Sequence, residues 1–250
     1  MQYKYEKTSL DYSDLASGRV FYSLPGHPAF PIRLASEIFQ RCLASRATIY
    51  KNTTPCTLYD PCCGAAYHLS VLAYLHRKQI REIVGSDIDE RAIAMAQRNL
   101  GLLNVTGLDQ RIGEITKMLE QYHKESHKAA LASAHILKNR IIGWVQEKPL
   151  VTRLFQSSAT DSETMLNNIK AKSVDIVFTD VPYGQHSERQ LFTPNELPLE
   201  LMLNALVGVL SSSSLVAVVS DRHQKVAHKS YQRVEQFQIG KRRVVILRPI

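Results

Sequence analysis

Residues 56–89 read CTLYDPCCGAAYHLSVLAYLHRKQIREIVGSDID and contain two short apolar runs separated by a helical pattern. The first run ends at Asp60 and the second ends at Asp87, while Leu69, Leu72 and Leu75 lie between them at helical spacing. Short strands that alternate with helices predict a parallel sheet covered by helices, because parallel strands need a crossover connection. The stretch therefore predicts a strand–helix–strand unit, with Asp60 and Asp87 at the carboxyl ends of its two strands.

The same alternation continues through the second half of the chain. Strand-like runs occur at 150–155 (LVTRLF), 174–180 (VDIVFTD) and 214–221 (SLVAVVSD), with helix-like segments between them. The runs YQRVEQF and RRVVILR then form a predicted antiparallel hairpin with Gly240 in its turn. This order predicts an α/β fold with a seven-stranded, mostly parallel sheet and a terminal antiparallel hairpin. It is the element order of Rossmann-like class I methyltransferases that depend on S-adenosylmethionine (SAM), although a fold by itself does not name a function.

The chain of 250 residues has the length of one large α/β domain. We expect a single methyltransferase domain over 1–250, with an N-terminal helical extension at 1–50 and a helical insertion at 109–149. Within the insertion, Ala134, Leu137, Ile141 and Trp144 follow helical spacing. Two interpretations of the insertion stay open: a lid over the substrate, or a packing appendage with a solvated charged face.

The composition is that of a globular protein, with 44% hydrophobic and 22% charged residues. No apolar run approaches the roughly 20 residues of a membrane helix, and the first residues lack the apolar core of a signal peptide. Four cysteines without a secretory context indicate reduced thiols. We therefore expect a cytoplasmic protein with no membrane partner, and the sequence carries no feature that specifies an oligomeric state.

The net charge of +8 is concentrated toward the C-terminus. Residues 221–250 hold eight Lys and Arg against Asp221 and Glu235, which gives this segment a net charge of +6. A basic surface attracts polyanions, of which nucleic acid is the commonest in a cytoplasm. The alternative is a solvated surface that aids solubility. The residues predicted to contact RNA are Arg222, Lys225, Lys241, Arg242 and Arg243.

The turn after the first predicted strand is a candidate cofactor site. In an open α/β sheet, ligands bind beyond the carboxyl ends of the strands, where the strand order reverses. Gly64 would let the backbone approach a ligand closely. A lone glycine is a weak signal for a pyrophosphate loop, whereas SAM has no phosphate and tolerates such a turn. The predicted cofactor-binding residues of this turn are Asp60, Pro61, Cys62 and Gly64.

The adjacent Cys62 and Cys63 are predicted to be small packing residues. Zinc ligands need intervening residues so that both thiolates can face one ion, and the chain has no second cysteine pair. A cysteine nucleophile of the cytosine-C5 methyltransferase kind would follow the fourth strand instead. Free cysteine commonly behaves as a small core side chain. We therefore predict no metal site.

Acidic and polar residues follow the next two strands. Asp87 ends the second strand, and its carboxylate can accept hydrogen bonds from the two ribose hydroxyls of an adenosyl group. Asp89 is predicted to be the N-cap of the following helix. After the third strand, either Ser158 or Asp161 is expected at the adenine edge, and Asp161 is equally well placed to cap a helix.

The fourth strand carries the most specific motif, VDIVFTDVPYG at 174–184. It resembles the Asp/Asn-Pro-Pro-Tyr signature of methyltransferases that act on amino nitrogens of bases or amides. Such a nitrogen is a poor nucleophile because its lone pair is delocalised, so Asp180 would accept its hydrogens and hold it in line with the methyl group. Tyr183 offers a ring for base stacking, and Pro182 fixes the turn. The alternative is a plain exit from strand to turn, which also favours Asp, Pro and Gly.

With these motifs placed, the chain resembles the AviRa-like family of avilamycin-resistance rRNA methyltransferases. The matching stretches are SLDYSDLASG, PGHPAFPIRLASEIFQR, LYDPCCGAAYHLSVLAYLHR, SDID, VDIVFTDVPYG and AVVSDR. The resemblance implies SAM-dependent methylation of a guanine of large-subunit rRNA, with resistance to orthosomycin antibiotics. It also implies that Asp60, Gly64 and Asp87 frame the cofactor, and that Asp180, Pro182 and Tyr183 frame the base.

The chain departs from this family at two positions: Ala66 stands where relatives have a second glycine, and Ser158 where relatives have an adenine-contacting aspartate. Two rival functions stay open: an amide or small-molecule N-methyltransferase, and an RNA-binding protein with an inactive Rossmann core. A nicotinamide oxidoreductase is disfavoured, because the glycines of a phosphate loop are missing.

Overall fold

The computed structural model describes residues 3–26, 28–144, 148–181 and 198–250. Within these residues, seven strands form one sheet in the spatial order β3-β2-β1-β4-β5-β7-β6. Neighbouring strands from β3 to β5 are parallel, whereas β7 is antiparallel to both β5 and β6. The strands are β1 (Cys56–Asp60), β2 (Ile80–Asp87), β3 (Val151–Gln156), β4 (Val174–Asp180), β5 (Leu210–Asp221), β6 (Tyr231–Ile239) and β7 (Arg242–Pro249).

This topology confirms the predicted α/β methyltransferase fold. From β1 the chain moves outward to β2 and β3 on one side, and then returns to place β4 and β5 on the other side. The strand order therefore reverses between β1 and β4, where an open α/β sheet binds its ligands. Gly240, with φ of +59°, lies in the turn of the terminal hairpin as predicted, because glycine adopts positive φ without steric cost.

Helices cover both faces of the sheet. They are α1 (Ile32–Tyr50), α2 (Tyr67–Leu75), α3 (Glu90–Gly101), α4 (Val105–Tyr122), α5 (Glu125–Ile142), α6 (Ser162–Asn168) and α7 (Pro198–Leu206), with 3₁₀ turns at Ser13–Leu15 and Arg77–Gln79. Among the helices of the described residues, none is both long enough and apolar enough to cross a membrane.

In the described part of the chain, two hydrophobic cores lie on opposite faces of the sheet. Side chains alternate along β4, so that Ile176 and Phe178 join one core while Val177 joins the other. The first core includes residues of α1 to α5, and the second includes residues of α6 and α7. Strands buried on both faces explain the nearly continuous apolar runs of the sequence.

Helices α4 and α5 form an antiparallel pair that packs against the N-terminal segment. Arg111 Nε donates to the Val20 carbonyl at 2.8 Å, and Ser133 Oγ donates to Asp14 Oδ1 at 2.8 Å. The pair begins at Val105, before residue 109, because Asn104 caps α4 there. At Gly107 a Cβ atom would lie 2.1 Å from the Gly101 carbonyl oxygen, so the close turn from α3 to α4 requires glycine.

The chain before α1 is held by one buried carboxylate. Glu37 is fully buried and accepts hydrogen bonds from the backbone N–H groups of Lys4, Tyr5 and Glu6 at 2.7–2.8 Å. Its charge is also paired with Arg41 at 2.6 Å. A buried charge is tolerated only with such partners, so Glu37 fixes the N-terminal segment onto α1.

Candidate functional site

Three aspartates end three neighbouring strands at the position where the strand order reverses. Asp60 is the last residue of β1, Asp87 of β2 and Asp180 of β4, and β1 lies between the other two strands. Asp60 is fully buried, which raises its pKa to about 8, and the negative charges of Asp87 and Asp180 contribute in the same direction. The three carboxyl groups therefore share one concentrated electrostatic environment.

The turn after β1 is tied to the ends of β1 and β2 by hydrogen bonds. Asp60 Oδ1 accepts from the Cys62 backbone N–H at 3.0 Å, and Asp87 Oδ2 accepts from the Gly64 N–H at 2.8 Å. The other oxygen of Asp87 accepts from the Asp89 N–H at 3.0 Å. Gly64 has φ of +53°, a conformation that favours glycine. The predicted cofactor turn is thus brought against Asp87.

The two cysteines of the turn contact the cores. Cys63 is 4% exposed and belongs to the first core, while Cys62 packs against the second. Burial raises the pKa of both thiols, so both are neutral near pH 7. At Gly85 of β2 a Cβ atom would lie 3.1 Å from Cys63 Sγ, so the sulfur packs closely against this glycine. These contacts support a packing role, and the described residues contain no cluster of metal-ligating side chains.

Ala66 precedes α2 with φ of +51°, in the left-handed region that favours glycine. A non-glycine residue pays a steric cost in that conformation. The residue is fully buried within the first core. The methyl group therefore adds to core packing while the backbone keeps a conformation suited to glycine.

The loop after β3 lies beside the end of β2. The Ser157 N–H donates to the Asp87 carbonyl at 3.0 Å, and Ser158 Oγ lies 2.9 Å from Thr160 Oγ1. This places Ser158 one residue from a direct contact with the Asp87 backbone. Asp161 caps α6 by accepting from the Thr164 N–H at 3.0 Å, which is the helix-capping role that the sequence allowed for it.

Two site features were missed by sequence reasoning. Ile88, between Asp87 and Asp89, is apolar and 70% exposed, and it directly follows the carboxyl end of β2. The sequence did carry a signal for it, an apolar residue between Asp87, which ends β2, and Asp89. His68 of α2 lies with its Nε2 atom 3.3 Å from Asp60 Oδ2. A histidine on an apolar helix gave no signal of this contact.

At this edge of the sheet, the described residues continue one residue beyond Asp180, to Val181. The Val181 N–H donates to the Val219 carbonyl at 3.0 Å, which extends the pairing of β4 with β5 past Asp180. Pro182 and Tyr183, predicted to frame the target base, lie outside the described residues. Of the predicted catalytic trio, the structure therefore locates Asp180.

The predicted RNA-contacting residues lie near the carboxyl end of β5, which is the edge that carries Asp180. Arg242 pairs with Asp221 in the β5–β7 ladder, and Arg243 Nη1 donates to the Gln224 carbonyl at 3.0 Å. The other three residues of the set are exposed: Arg222, Lys225 and Lys241. The strand pairing thus brings together basic residues from the β5–β6 loop and the hairpin turn.

Comparison with known proteins gives a relative of almost the same length. The chain is 35% identical over 246 residues to a 23S rRNA (guanine(2535)-N(1))-methyltransferase of Streptomyces viridochromogenes, covering 98% of this chain and 95% of the relative. The structure also matches a solved rRNA methyltransferase aviRa from that organism with a TM-score of 0.87 and 34% identity, covering 99% of this chain and 96% of the other.

A more distant match supports the fold alone. TrmN from Thermus thermophilus superposes with a TM-score of 0.53 at 15% identity, covering 90% of this chain and 50% of that protein.

The family model described as rRNA methyltransferase AviRa matches residues 1–242. Sequence, structure and family model agree over nearly the whole chain, which confirms the resemblance drawn from the motifs: the chain belongs to the AviRa family of rRNA methyltransferases.

Proposed function

We propose that this protein transfers a methyl group from SAM to a guanine nitrogen of 23S rRNA. The observation that carries the proposal is the placement of Asp60, Asp87 and Asp180 at three adjacent strand ends around the reversal of strand order. Membership of the family supports it, and N1 is the nitrogen named for the Streptomyces relative. Resistance to orthosomycin antibiotics such as avilamycin, implied by the resemblance, is part of the proposal.

The residues present fit a cationic adenosyl cofactor. Each oxygen of Asp87 accepts one backbone N–H and retains a second lone pair, so the carboxylate can still receive both ribose hydroxyls. The exposed Ile88 would pack on the adenine face, and Ser158 would meet the adenine edge. When bound, SAM supplies a methyl group on a positively charged sulfur.

The turn after β1 would receive the remainder of the cofactor. Asp60 Oδ2 is buried without a hydrogen-bond partner among the described residues, which suits a carboxyl group that interacts with a positive charge. Gly64 has a positive φ and no side chain, so a ligand could approach the backbone closely at the carboxyl end of β1. The proposed residues of this part of the site are Asp60, Pro61, Cys62 and Gly64.

Asp180 is the proposed catalytic residue. A guanine ring nitrogen that carries a hydrogen has its lone pair delocalised into the ring, so it attacks poorly unless that hydrogen is taken up. The Asp180 carboxylate would accept the hydrogen and orient the nitrogen, while one N–C bond forms and one S–C bond breaks. Pro182 would fix the turn beside it, and Tyr183 would stack on the extruded base.

The basic residues near β5 would hold the rRNA backbone. Phosphate contacts position a nucleic acid without reading its sequence, and exposed Lys and Arg suit that task. We propose that Arg222, Lys225 and Lys241 contact phosphates directly. Arg242 and Arg243 complete the same basic surface.

We also propose that residues 1–250 form one domain in which the α4–α5 pair is a packing insertion.

Labelled SAM offers a direct test of the substrate class. Incubation with 23S rRNA, 16S rRNA and a small primary amide, each at matched concentration, should label 23S rRNA alone. Labelling of the rRNA should weaken as salt is raised, because phosphate contacts contribute to rRNA binding. Efficient labelling of the amide in the absence of RNA would refute the proposal and favour a small-molecule methyltransferase.

A further inference from the structure

Asp60 and His68 form a buried pair beneath the turn that follows β1. The Asp60 Oδ2 and His68 Nε2 atoms are 3.3 Å apart, and the two side chains are almost completely buried. Neither atom makes a hydrogen bond of good geometry within the described part of the chain, not even to the other. Two buried polar atoms this close, each without a partner, would both be satisfied by one hydrogen placed between them, so the pair can share a proton.

In the free protein, the proton belongs to Asp60. Burial raises the pKa of the Asp60 carboxyl to about 8, and burial lowers the pKa of His68 to about 4. The backbone of Phe178 is a second hydrogen-bond partner of the His68 ring. With Nε2 turned toward Asp60, the nitrogen left for the Phe178 carbonyl is Nδ1. A neutral ring with its hydrogen on Nδ1 therefore accepts from a protonated Asp60 Oδ2.

Besides burial, two neighbouring carboxylates favour this protonated form, whereas the Cys62 N–H, which donates to Asp60 Oδ1 at 3.0 Å, and the Thr179 hydroxyl favour the ionised form. The carboxylates of Asp87 and Asp180 face it from β2 and β4, and their negative charges oppose its ionisation. The neighbouring thiols of Cys62 and Cys63 are neutral because burial raises the pKa of each. A positive charge placed among these three carboxyl groups would reverse the balance, because it stabilises the ionised form of Asp60.

The His68 imidazole can receive the proton. Once Asp60 ionises, its charge next to Nε2 raises the affinity of the imidazole for a proton. The resulting imidazolium would have both N–H groups satisfied, by Asp60 and by the Phe178 carbonyl. Aromatic rings lie beside it, with Phe178 at 4.9 Å and Phe30 at 5.9 Å between ring centroids. Such rings can stabilise a neighbouring cation.

We infer that the proton moves from Asp60 Oδ2 to His68 Nε2 when a methyl donor with a positively charged sulfur binds. One O–H bond breaks and one N–H bond forms, so the pair as a whole neither gains nor loses a proton. The inference rests on the proposed function, which supplies the sulfonium charge. S-adenosylhomocysteine (SAH), the product of methyl transfer, has lost that charge, so the proton returns to Asp60. His68 is thus a positioning residue that lets the site distinguish donor from product.

The test is nitrogen NMR of histidine-labelled protein without RNA, so that no turnover occurs. At pH 7, the His68 ring should be neutral in the free protein, charged in the SAM complex and neutral again in the SAH complex. His76 is the internal reference, because burial also lowers its pKa to about 4 while its Nε2 lies 2.8 Å from Ser36 Oγ. Its ring should stay neutral in all three states. The His68 signal is assigned with His68→Gln or, if that variant does not fold, by contacts with Phe178.

A second variant removes the proton without removing the contact. Asp60→Asn should leave His68 neutral in the SAM complex and lower the preference for SAM over SAH by roughly tenfold or more, since the carboxylate charge is gone. A His68 ring that stays neutral with SAM bound, or is already charged in the free protein, overturns the inference while the proposed function stands. Failure of SAM to bind at all would overturn both.

Discussion

The backbone N–H of Gly64 donates a 2.8 Å hydrogen bond to Asp87 Oδ2, which fastens the turn after β1 to the end of β2. Asp87 therefore has two tasks, because the carboxylate proposed to hold the ribose also shapes the turn that receives the rest of the cofactor. A hydrogen bond to an ionised acceptor is stronger than one between neutral groups. The two halves of the proposed cofactor site are consequently coupled through one side chain.

This coupling makes Asp87 the residue on which SAM affinity should depend most. We predict that Asp87→Ala raises the Kd for SAM about 100-fold, because it removes two acceptors of hydrogen bonds and releases Gly64. Calorimetric titration measures the change. Asp89→Ala is the matched control, since Asp89 caps α3 by accepting from the Arg91 N–H at 2.9 Å. It should cost about 1 kcal/mol of stability while SAM affinity changes little. Equal Kd values for the two variants would contradict the assignment.

The cysteine side chains of the turn should be dispensable for chemistry, because the contact of Cys62 with Asp60 is made by its backbone N–H. We predict that Cys62→Ala and Cys63→Ala each retain SAM binding and methyl transfer within a few-fold of the parent protein, because both thiols are neutral packing groups. Their cost should appear in thermal unfolding as about 1 kcal/mol of lost stability. A loss of transfer greater than 100-fold in a folded variant would show that a thiol takes part in the reaction.

Packing of Cys63 over Gly85 gives a sharper version of that test. A Cβ atom at Gly85 would lie 2.9 Å from Leu154 Cδ2 and 3.1 Å from Cys63 Sγ, so Gly85→Ala should destabilise the fold by about 1–3 kcal/mol. Combining it with Cys63→Ala should recover part of that loss, because the sulfur is removed. Purely additive effects of the two substitutions would mean that they do not share one packing site.

The basic surface near β5 should set the salt dependence of RNA binding. Lys225→Gln and Lys241→Gln should each weaken binding regardless of RNA sequence, and each should reduce the slope of log K against log salt concentration by about 0.7–0.9. Lys170→Gln is the control, since Lys170 is exposed but precedes β4 at the opposite edge of the sheet. Fluorescence titrations with an rRNA fragment over a salt series would measure the slopes. If Lys170→Gln reduced the slope as much as the other two substitutions, RNA binding would depend on net charge and not on the position of the charge.

The fold was largely predictable because strand periodicity, helix spacing and turn residues all indicated the same element order. The caps at Asp89 and Asp161 were accessible for the same reason, since capping depends on local sequence. The start of α4 at Val105 was less accessible, because it depends on the close approach of Gly107 to Gly101. Contacts between distant segments have no periodic signal, and those can be read only from the assembled chain.

The candidate site was likewise predictable only in part. Each aspartate at a strand end was predictable, because such ends meet at one edge of a parallel sheet. The contact of His68 with Asp60 was not, since it depends on how α2 packs over β1 and buries both groups. The exposure of Ile88 likewise emerges only when the surrounding loops are placed. Physical chemistry of single residues thus located the site, while the coupling between its residues required the structure.

The central claim is methyl transfer to guanine through Asp180, and product analysis tests it most directly. The protein is incubated with methyl-labelled SAM and 23S rRNA, and nuclease fragments are then examined by mass spectrometry. We predict a single labelled N-methylguanine from the parent protein, and none from Asp180→Ala although that variant still binds SAM. Asp221→Ala, at the end of the neighbouring strand β5, should retain transfer as the control. Absence of any labelled nucleotide with the parent protein, or undiminished labelling by Asp180→Ala, would contradict the account.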